Sequence, residues 1–597
     1  MTGDQGGLMT WDATTDDLAL LRAYEPVLRL TQGEFFVPVG VGGYVAHCTV
    51  REQAPDGTVR VVAEPGSVDL ESLARLGALV DGPGQSLSAV TVPASRWRRL
   101  WIRRPTFRAG ARLAQVGLLG RSIDTLSRLS LLMRGAVPGG SAGLSLELQQ
   151  QHLNPDRPTY HGRVLRDGYW IVCQYWFFYS FNNWRSGFSG VNEHEADWEN
   201  VTVYLDGSGA VGADGLPEPR WVVFSAHDET GDDLRRRWDD PDLSLVEGRH
   251  PVVFAGAGSH SGAYLPGDYL ITVAPPSLGG LVPAVRRVAK LLTPWSRAAQ
   301  GTGLGMPYLD YARGDGVAVG PGESQAWTAV VIGDDTPWVR DYRGLWGHDT
   351  RDRLGGERGP AGPRYERDGS VRMSWGDPVG WAGLAKVAPN AALERELVAQ
   401  RIDEIDRRLG ELEDVAARTR GEVAREAAGL PPGSTGVRVL EPQEQQLSAT
   451  RMSIVGLRDE RATMLATLET GLAPASPHAH LRHRRTPIQP PDRGRRHLLT
   501  AWSVVSTPLA LALIGYLFRP ATSSRWEIAL LALMAIVSVE AFARGYLLAF
   551  LGRLLLLLIV VNSVEVVVLN WQSVLSIGIG LAALLLLVVN LRDVLRR

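Results

Sequence analysis

Three potential metal ligands, His194, Asp197 and Glu199, lie close together near the middle of the sequence. The residues that follow them, Val201 to Leu205, alternate between apolar and polar, which predicts a β-strand. Because successive strand residues point to opposite faces, Asp197 and Glu199 share one face and Trp198 lies on the other. Hard cations prefer oxygen ligands, so this set favours Mg²⁺, Ca²⁺ or Mn²⁺ over Zn²⁺.

This stretch has an alternative interpretation. The same residue types also occur at the start of a strand whose carboxylates face water and bind no ion. Trp198 is also out of phase with Val201 and Val203, which predicts a bulge or bend near Asn200 if all of them are buried.

Two further pairs of polar residues, His227-Asp228 and Ser259-His260, each follow the end of a predicted strand. Their side chains could reach the same cleft as ligands, acid–base groups or substrate-binding groups. A hydrogen-bonded structural histidine is the alternative for each pair. Ser259 lacks the Gly-x-Ser-x-Gly context of a nucleophile elbow, which disfavours a hydrolase triad. We therefore add His227, Asp228 and His260 to the candidate site and assign no catalytic residue.

The hexapeptide His194-Glu195-Ala196-Asp197-Trp198-Glu199 resembles the signature of the vacuolar-protein-sorting-associated family, number sixty-two, and its bacterial relatives. It is similar more distantly to the heptapeptide of the necrosis- and ethylene-inducing-peptide-like proteins, in which the matching His, Asp and Glu hold a divalent cation at one end of a β-sandwich. The resemblance therefore implies a divalent-cation site at His194, Asp197 and Glu199. Glu193 and Ala196 replace a glycine and a histidine of that heptapeptide, and its further upstream Asp ligand has no secure counterpart here.

Other segments support the resemblance over roughly residues 20–385. They occur in the order expected for the first family, and each is a weak motif alone: Tyr24-Glu25-Pro26-Val27-Leu28-Arg29, Gln174-Tyr175-Trp176-Phe177-Phe178-Tyr179, His250-Pro251-Val252-Val253-Phe254 and Tyr342-Arg343-Gly344-Leu345-Trp346-Gly347.

The length of 597 residues is too great for one domain, and the net charge of −2 does not indicate any class of binding partner. The two cysteines, Cys48 and Cys173, form no disulfide framework, and residues 1–19 read as a flexible terminus without a signal peptide. Both features predict a reducing compartment. The sequence has no phosphate loop, dinucleotide fingerprint, zinc knuckle or recognisable nucleic-acid-binding fold, so we expect no nucleic-acid partner.

Residues 20–385 predict a mainly β domain, an antiparallel β-sandwich. Its strands include Val37–Val50, Thr58–Ala63, Ser88–Val92 and an aromatic central strand at 168–181. Two basic helical insertions interrupt the domain near 96–134 and 281–300. Each insertion is predicted either to rest on an anionic membrane surface or to pack on the sandwich.

The remaining third of the chain is predicted to be helical. Residues 390–470 form a hairpin with coiled-coil spacing, which serves as a spacer or as a homo-oligomerisation element, and 471–497 form a basic linker. Residues 498–597 contain four apolar segments long enough to span a bilayer. The distribution of arginines places both termini and the soluble domain in the cytoplasm, under the cell membrane. Glu540 and Glu565 lie within or near these spans, so the bundle is an anchor or, less favoured, a channel.

Three functions fit these features. The favoured one is a membrane-anchored module that binds a divalent cation, Mg²⁺ or Ca²⁺, and through it a polar ligand such as a lipid head group or glycan. A metal-dependent hydrolase is the second, with His227 or His260 shuttling the proton. The third is a membrane-perturbing or channel-forming protein.

Overall fold

A computed structural model describes the chain at residues 17–54, 56, 58–80, 82, 84–89, 117–118, 121–122, 125–126, 141–184, 193–209, 211–225, 234–273, 306–349, 358–429, 431, 440–470, 486–488, 493–518 and 524–595. The predicted flexible terminus up to residue 16, the basic insertion at 281–300 and most of the one at 96–134 lie outside these residues, as do His227 and Asp228. Most of the predicted linker at 471–497 lies outside them too.

The N-terminal part of the chain is rich in short strands, which form several sheets. In chain order these strands are β1 (Val27–Arg29), β2 (Thr49–Gln53), β3 (Val59–Ala63), β4 (Gln85–Ser88), β5 (Thr159–Asp167), β6 (Trp170–Asn182), β7 (His194–Asp206), β8 (Pro219–Phe224), β9 (Arg235–Arg237), β10 (Leu245–Val246), β11 (His250–Ala255), β12 (Gly262–Ala263), β13 (Gly267–Val273), β14 (Met306–Ala312), β15 (Ala318–Val319) and β16 (Thr328–Val331). The helices among and after them are α1 (Asp17–Tyr24), α2 (Val41–Ala46), α3 (Leu70–Ala78), α4 (Ser141–His152), α5 (Pro337–Asp341), α6 (Met373–Gly376) and α7 (Pro378–Trp381).

The largest sheet has six strands in the order β16-β5-β6-β7-β8-β9. Its centre is the antiparallel pair β6 and β7, which runs from Trp170 opposite Asp206 to Asn182 opposite His194. All thirteen residues of β6 are buried, because alternate side chains enter separate cores on the two faces of the sheet. This two-sided burial explains why the aromatic run has no polar alternation, and the prediction of a central strand there is confirmed.

A second sheet, β10-β11-β1-β15 with β12 beside β11, packs on the first through a common core. One hydrophobic cluster takes side chains from strands of both sheets: Leu28, Val253 and Val319 from the second, and Tyr175, Val203 and Val222 from the first. The prediction of purely antiparallel pairing was wrong at two places, since β1 runs parallel to β11 and β16 runs parallel to β5. Both parallel pairs join segments far apart in the sequence, which short turns cannot do.

The predicted strand Val37–Val50 was also wrong, because most of its middle is helix α2. Val41, Tyr44 and Val45 are spaced by three and four residues, and this spacing buries them together on one face of the helix. Only the last two residues of the predicted strand, Thr49 and Val50, belong to β2.

Two long helices follow the β-rich part, α8 (Ala391–Ala428) and α9 (Glu441–Thr470), and they pack on each other. The Asn390 side chain accepts a hydrogen bond from the backbone N–H of Leu393 and so caps the start of α8. The two helices share an apolar cluster of Ile405, Leu409, Ala416, Leu447 and Ile454. At the exposed edge of this contact Arg461 of α9 pairs with Asp406 of α8.

Four helices at the end of the described chain are long and apolar enough to cross a membrane: α10 (Arg493–Leu517), α11 (Arg525–Ala543), α12 (Leu547–Leu569) and α13 (Trp571–Leu595). Their mean hydropathy rises from 1.7 in the first to 2.6 in the last. The prediction of four spans is confirmed at this level, and it indicates a membrane protein. The first helix begins at Arg493, so the end of the predicted linker is helical.

Arg121, in the first basic insertion, contacts these apolar helices. Its Nη2 donates to Glu540 Oε2 at 2.9 Å and to Ser506 Oγ at 2.7 Å, and its side chain is 1% exposed. Trp502 Nε1 and Arg544 Nε also donate to the Glu540 carboxylate, at 2.6 and 2.8 Å. The described turn of the insertion therefore packs on α10 and α11, whereas the sequence predicted either the membrane surface or the sandwich.

Candidate functional site

Strand β7 places Asp197 and Glu199 on the same face of the six-stranded sheet, opposite Tyr179 and Phe177 of β6. The register with β6 continues unbroken through Asn200, so the bulge predicted there was wrong. No bulge is needed, because both faces of β7 are buried. Val201 enters one core, and Trp198 enters the other between Trp338 and Trp346.

The irregular position in β7 is Ala196, whose backbone φ is 61°. Few residues other than glycine adopt this left-handed conformation. The local turn sends the Glu195 side chain to the face opposite Asp197, where its carboxylate accepts hydrogen bonds from the backbone N–H groups of Ala89 and His348. Burial raises the pKa of Glu195 to about 7, against the opposing effect of these hydrogen bonds. One alanine thus separates Glu195 from the other two acids of the motif.

His260 lies directly against Asp197. Its Nδ1 is 2.9 Å from Asp197 Oδ2, its Nε2 is 3.8 Å from Glu34 Oε1, and its ring stacks on Tyr179 with ring centroids 3.8 Å apart. Burial alone lowers the pKa of His260, but the hydrogen bond to Asp197 and the attraction of both carboxylates outweigh it and raise the pKa to about 9. The described geometry therefore holds an imidazolium between two acids.

Glu34 is held as a carboxylate in this cluster. Burial raises its pKa, but the attraction of His260 and hydrogen bonds from the backbone N–H groups of Phe36 and Gly258 lower it below the usual range. The Gly258 N–H donates to Glu34 Oε2 at 2.6 Å. No sequence pattern signals Glu34, since it lies in a turn about 160 residues before the motif.

The pKa of Glu199 shifts in the opposite direction to that of Glu34. Burial, and then the negative charge of Asp197, raise its pKa well above the usual range, and a hydrogen bond from Ser225 Oγ at 3.0 Å only partly opposes this. The two acids are two residues apart in β7 and share one face of the sheet, which places them next to each other. Without an added positive charge, Glu199 therefore favours its protonated form.

His194 lies at the start of β7 and is partly exposed. Its Nδ1 is 2.6 Å from the carbonyl oxygen of Ala196, and burial lowers its pKa. Asp197 is near enough to raise that pKa, whereas Arg367 lowers it. The structure thus directs Nδ1 of His194 to the backbone of Ala196, and it brings His260 against Asp197.

The acid pair retains open ligand atoms. Asp197 Oδ2 accepts from Asn182 Nδ2 and from His260, and Glu199 Oε2 accepts from Ser225. The other carboxylate oxygen of each acid has no hydrogen bond within the described residues. These oxygens fit a divalent cation in charge and donor type. No three His, Cys, Asp or Glu side chains of the described part form a group that could hold a metal ion, so a cation at this pair would need ligands other than these side chains.

Both cysteines, Cys48 and Cys173, are buried and free. Comparison of the chain with models of known protein families, with curated proteins and with solved structures finds no match. The fold and site define a membrane protein with a β-rich domain that contains a buried cluster of acids and one imidazolium.

Proposed function

We propose that the chain is a membrane-anchored module that binds a divalent cation, Mg²⁺ or Ca²⁺, at Asp197 and Glu199, and through it a polar ligand such as a lipid head group or glycan. The observation that carries the proposal is the placement of two buried acids, Asp197 and Glu199, on one face of β7, each with one carboxylate oxygen that has no hydrogen bond within the described residues. Two buried acids that repel each other are costly unless a proton or a cation lies between them.

The surrounding residues support binding at this pair. His260 and Asn182 fix Asp197 through Oδ2, and Ser225 fixes Glu199 through Oε2, which leaves one oxygen of each acid for a cation. A bound Mg²⁺ or Ca²⁺ keeps coordination positions for oxygen atoms of a ligand. Arg372 lies close enough to both acids for their charges to raise its pKa, although burial lowers it overall. Its guanidinium would attract a phosphate or carboxylate of the ligand.

The wider arrangement is part of the proposal. The two sheets that share a core would form the β-sandwich implied by the resemblance to the vacuolar-protein-sorting-associated family. The apolar seam between α8 and α9 would be a coiled-coil spacer, and it would also provide a contact between copies of the chain. The basic insertions at 96–134 and 281–300 would contact anionic lipids on the cytoplasmic side of the cell membrane.

A hydrolase that uses the same cation is less well supported. Such an enzyme needs a proton acceptor beside the activated water, with a pKa near the working pH. His260 has a pKa of about 9 and already donates to Asp197, so it is a poor general base near neutral pH. A channel is also less well supported, because the Glu540 carboxylate is already bound by Arg121, Arg544 and Trp502.

The test is metal analysis of the detergent-purified full chain, paired with liposome flotation in Ca²⁺, Mg²⁺ and EDTA. We expect bound cation and EDTA-sensitive binding to liposomes that contain anionic lipid. Asp197→Asn and Glu199→Gln should each lower the bound cation by one ion per chain and lose the EDTA-sensitive liposome binding. Glu71→Gln, at an acid of α3 with a 77% exposed side chain, is the matched control and should keep them. Equal metal content in all four proteins would falsify the site.

A further inference from the structure

The loop between β11 and β12, residues 256–261, faces two different carboxylate clusters. His260 adopts a left-handed backbone with φ 57° and directs its ring to Asp197 and Glu34. The serines on either side of it contact Asp310 of β14 instead: Ser259 Oγ donates to Asp310 Oδ2 at 2.6 Å, and Ser261 Oγ donates to the same oxygen at 3.0 Å. The loop therefore joins the cluster described above to a second acidic position.

Asp310 is seated tightly against this loop. A Cβ at Gly256 would lie 2.4 and 2.6 Å from the two carboxylate oxygens of Asp310, so only glycine allows this approach. The backbone also docks the loop on β14, since the N–H of Ala257 donates to the carbonyl oxygen of Tyr311 at 2.8 Å. The carboxylate of Asp310 thus has a fixed position.

The second oxygen of Asp310 has no described partner. The residue is 2% exposed, and its Oδ1 is buried without a hydrogen bond within the described residues. Asp310 also lines a small cavity of about 20 Å³, with Ser261, Tyr264 and Tyr269 among the other lining residues. That volume is enough for one water-sized species.

The charge of Asp310 requires compensation. No Arg, Lys or His of the described part forms an ion pair with it. Arg313 pairs with Asp268 instead, and Arg236 stacks on the ring of Tyr264. A buried carboxylate without a countercharge is unfavourable, and a metal cation in the adjacent cavity would supply that charge.

We propose that Asp310 and Ser261, with the cavity beside them, form a second cation site that holds one small metal ion. Asp310 Oδ1 supplies the charged ligand atom, and the hydroxyl of Ser261 is a second oxygen near it. A cation there would also fix the loop that presents His260 to Asp197. This site does not depend on cation binding at Asp197 and Glu199.

The test separates the two sites by using the full chain with Asp197→Asn, which removes the first site. The purified protein is stripped with EDTA, and its melting temperature is measured in Na⁺, K⁺, Mg²⁺ or Ca²⁺, with choline chloride as the ionic-strength control. We expect at least one of the four cations to raise the melting temperature, because an ion bound only to the folded state stabilises it. Adding Asp310→Asn should abolish that rise.

Two further variants keep the test decisive. Asp268→Asn changes an acid of the adjacent strand β13 outside the cavity and should leave the cation-dependent rise intact. Ser261→Ala should reduce the rise, and it decides the matter if the Asp310 variant does not fold. The proposal is overturned if no cation raises the melting temperature, because the cavity then holds water only. It is also overturned if the rise survives Asp310→Asn, or survives Ser261→Ala in full.

Discussion

The Nδ1 atom of His260 lies 2.9 Å from Oδ2 of Asp197, and the same imidazole stacks on the ring of Tyr179 at 3.8 Å. Glu34 is on the other side of the ring, 3.8 Å from Nε2. The proton on His260 therefore neutralises part of the charge of a buried cluster that otherwise consists of acids. The stability of this part of the fold and its affinity for cations should both depend on pH.

Stability should fall as pH rises because of His260. Its pKa in the folded state is about 9, above the ordinary value of 6.5, so the folded state binds the proton more tightly. The contribution of this proton to the free energy of unfolding is complete below pH 6.5 and is lost as pH rises through 9. It amounts to about 3 kcal/mol at most. Melting temperatures of the purified chain between pH 6 and 9.5 measure the effect.

The matched variant for this measurement is His260→Asn, since asparagine tolerates the left-handed backbone at that position. The variant should be less stable than the native chain at pH 6, and the difference should narrow by pH 9.5. Glu199 also loses its proton in the folded state as pH rises, and the charge of His260 lowers the pKa of Glu199, so both proteins carry Glu199→Gln in this comparison. A constant difference between the two proteins across this range would contradict the assignment of the proton to His260.

Cation binding at Asp197 and Glu199 should strengthen as pH rises. The pKa of Glu199 is raised well above its usual range, so a cation must displace a proton from it. Isothermal titration with Ca²⁺ and Mg²⁺ at pH 6, 7 and 8 should show affinity increasing up to about tenfold per pH unit, the limit for one displaced proton. Glu71→Gln should follow the native profile, and an affinity independent of pH would contradict the displacement.

The sequence was sufficient to predict the strand that carries the site. Alternation from Val201 to Leu205 and the aromatic run before it predicted β6 and β7, and local strand geometry predicted that Asp197 and Glu199 share a face. These properties depend on residues close together in the chain. The four apolar spans were predictable for the same reason, because bilayer thickness sets the length of each segment on its own.

The rest of the cluster depends on contacts that local patterns do not encode. His260 reaches Asp197, and Glu34 reaches His260, from segments far away in the chain. The strand end before His260 made it a candidate, but no local pattern signals Glu34. The left-handed backbone conformation of Ala196 was also not predictable from the sequence, since alanine usually adopts a negative φ. It separates Glu195 from Asp197 and makes two acids, not three, face the candidate site.

Two glycines should respond in opposite ways to substitution by alanine. A Cβ at Gly347 would lie 2.0 Å from the backbone carbonyl oxygen of Glu195, so Gly347→Ala should destabilise the chain by about 2 kcal/mol or more. Gly421 is exposed within α8, and a Cβ added there would meet no atom within 4 Å, so Gly421→Ala should stabilise that helix by about 0.5–1 kcal/mol. Denaturant titrations followed by circular dichroism measure both, and equal effects would contradict the packing at Gly347.

The ion pair between Arg121 and Glu540 should be a main attachment of the first basic insertion to the apolar helices. Both side chains are nearly inaccessible, at 1% and 7% exposure, so removal of one leaves the other buried without its partner. Glu540→Gln should therefore destabilise the bundle by about 3–5 kcal/mol. The double variant Arg121→Met, Glu540→Gln should lower the free energy of unfolding by less than the sum of the two single changes.

Unfolding of the detergent-solubilised chain by added dodecyl sulfate, followed by tryptophan fluorescence, measures these values. Glu565→Gln, at an exposed acid of α12, should have little effect, and strict additivity of the first two changes would show that the pair is not coupled.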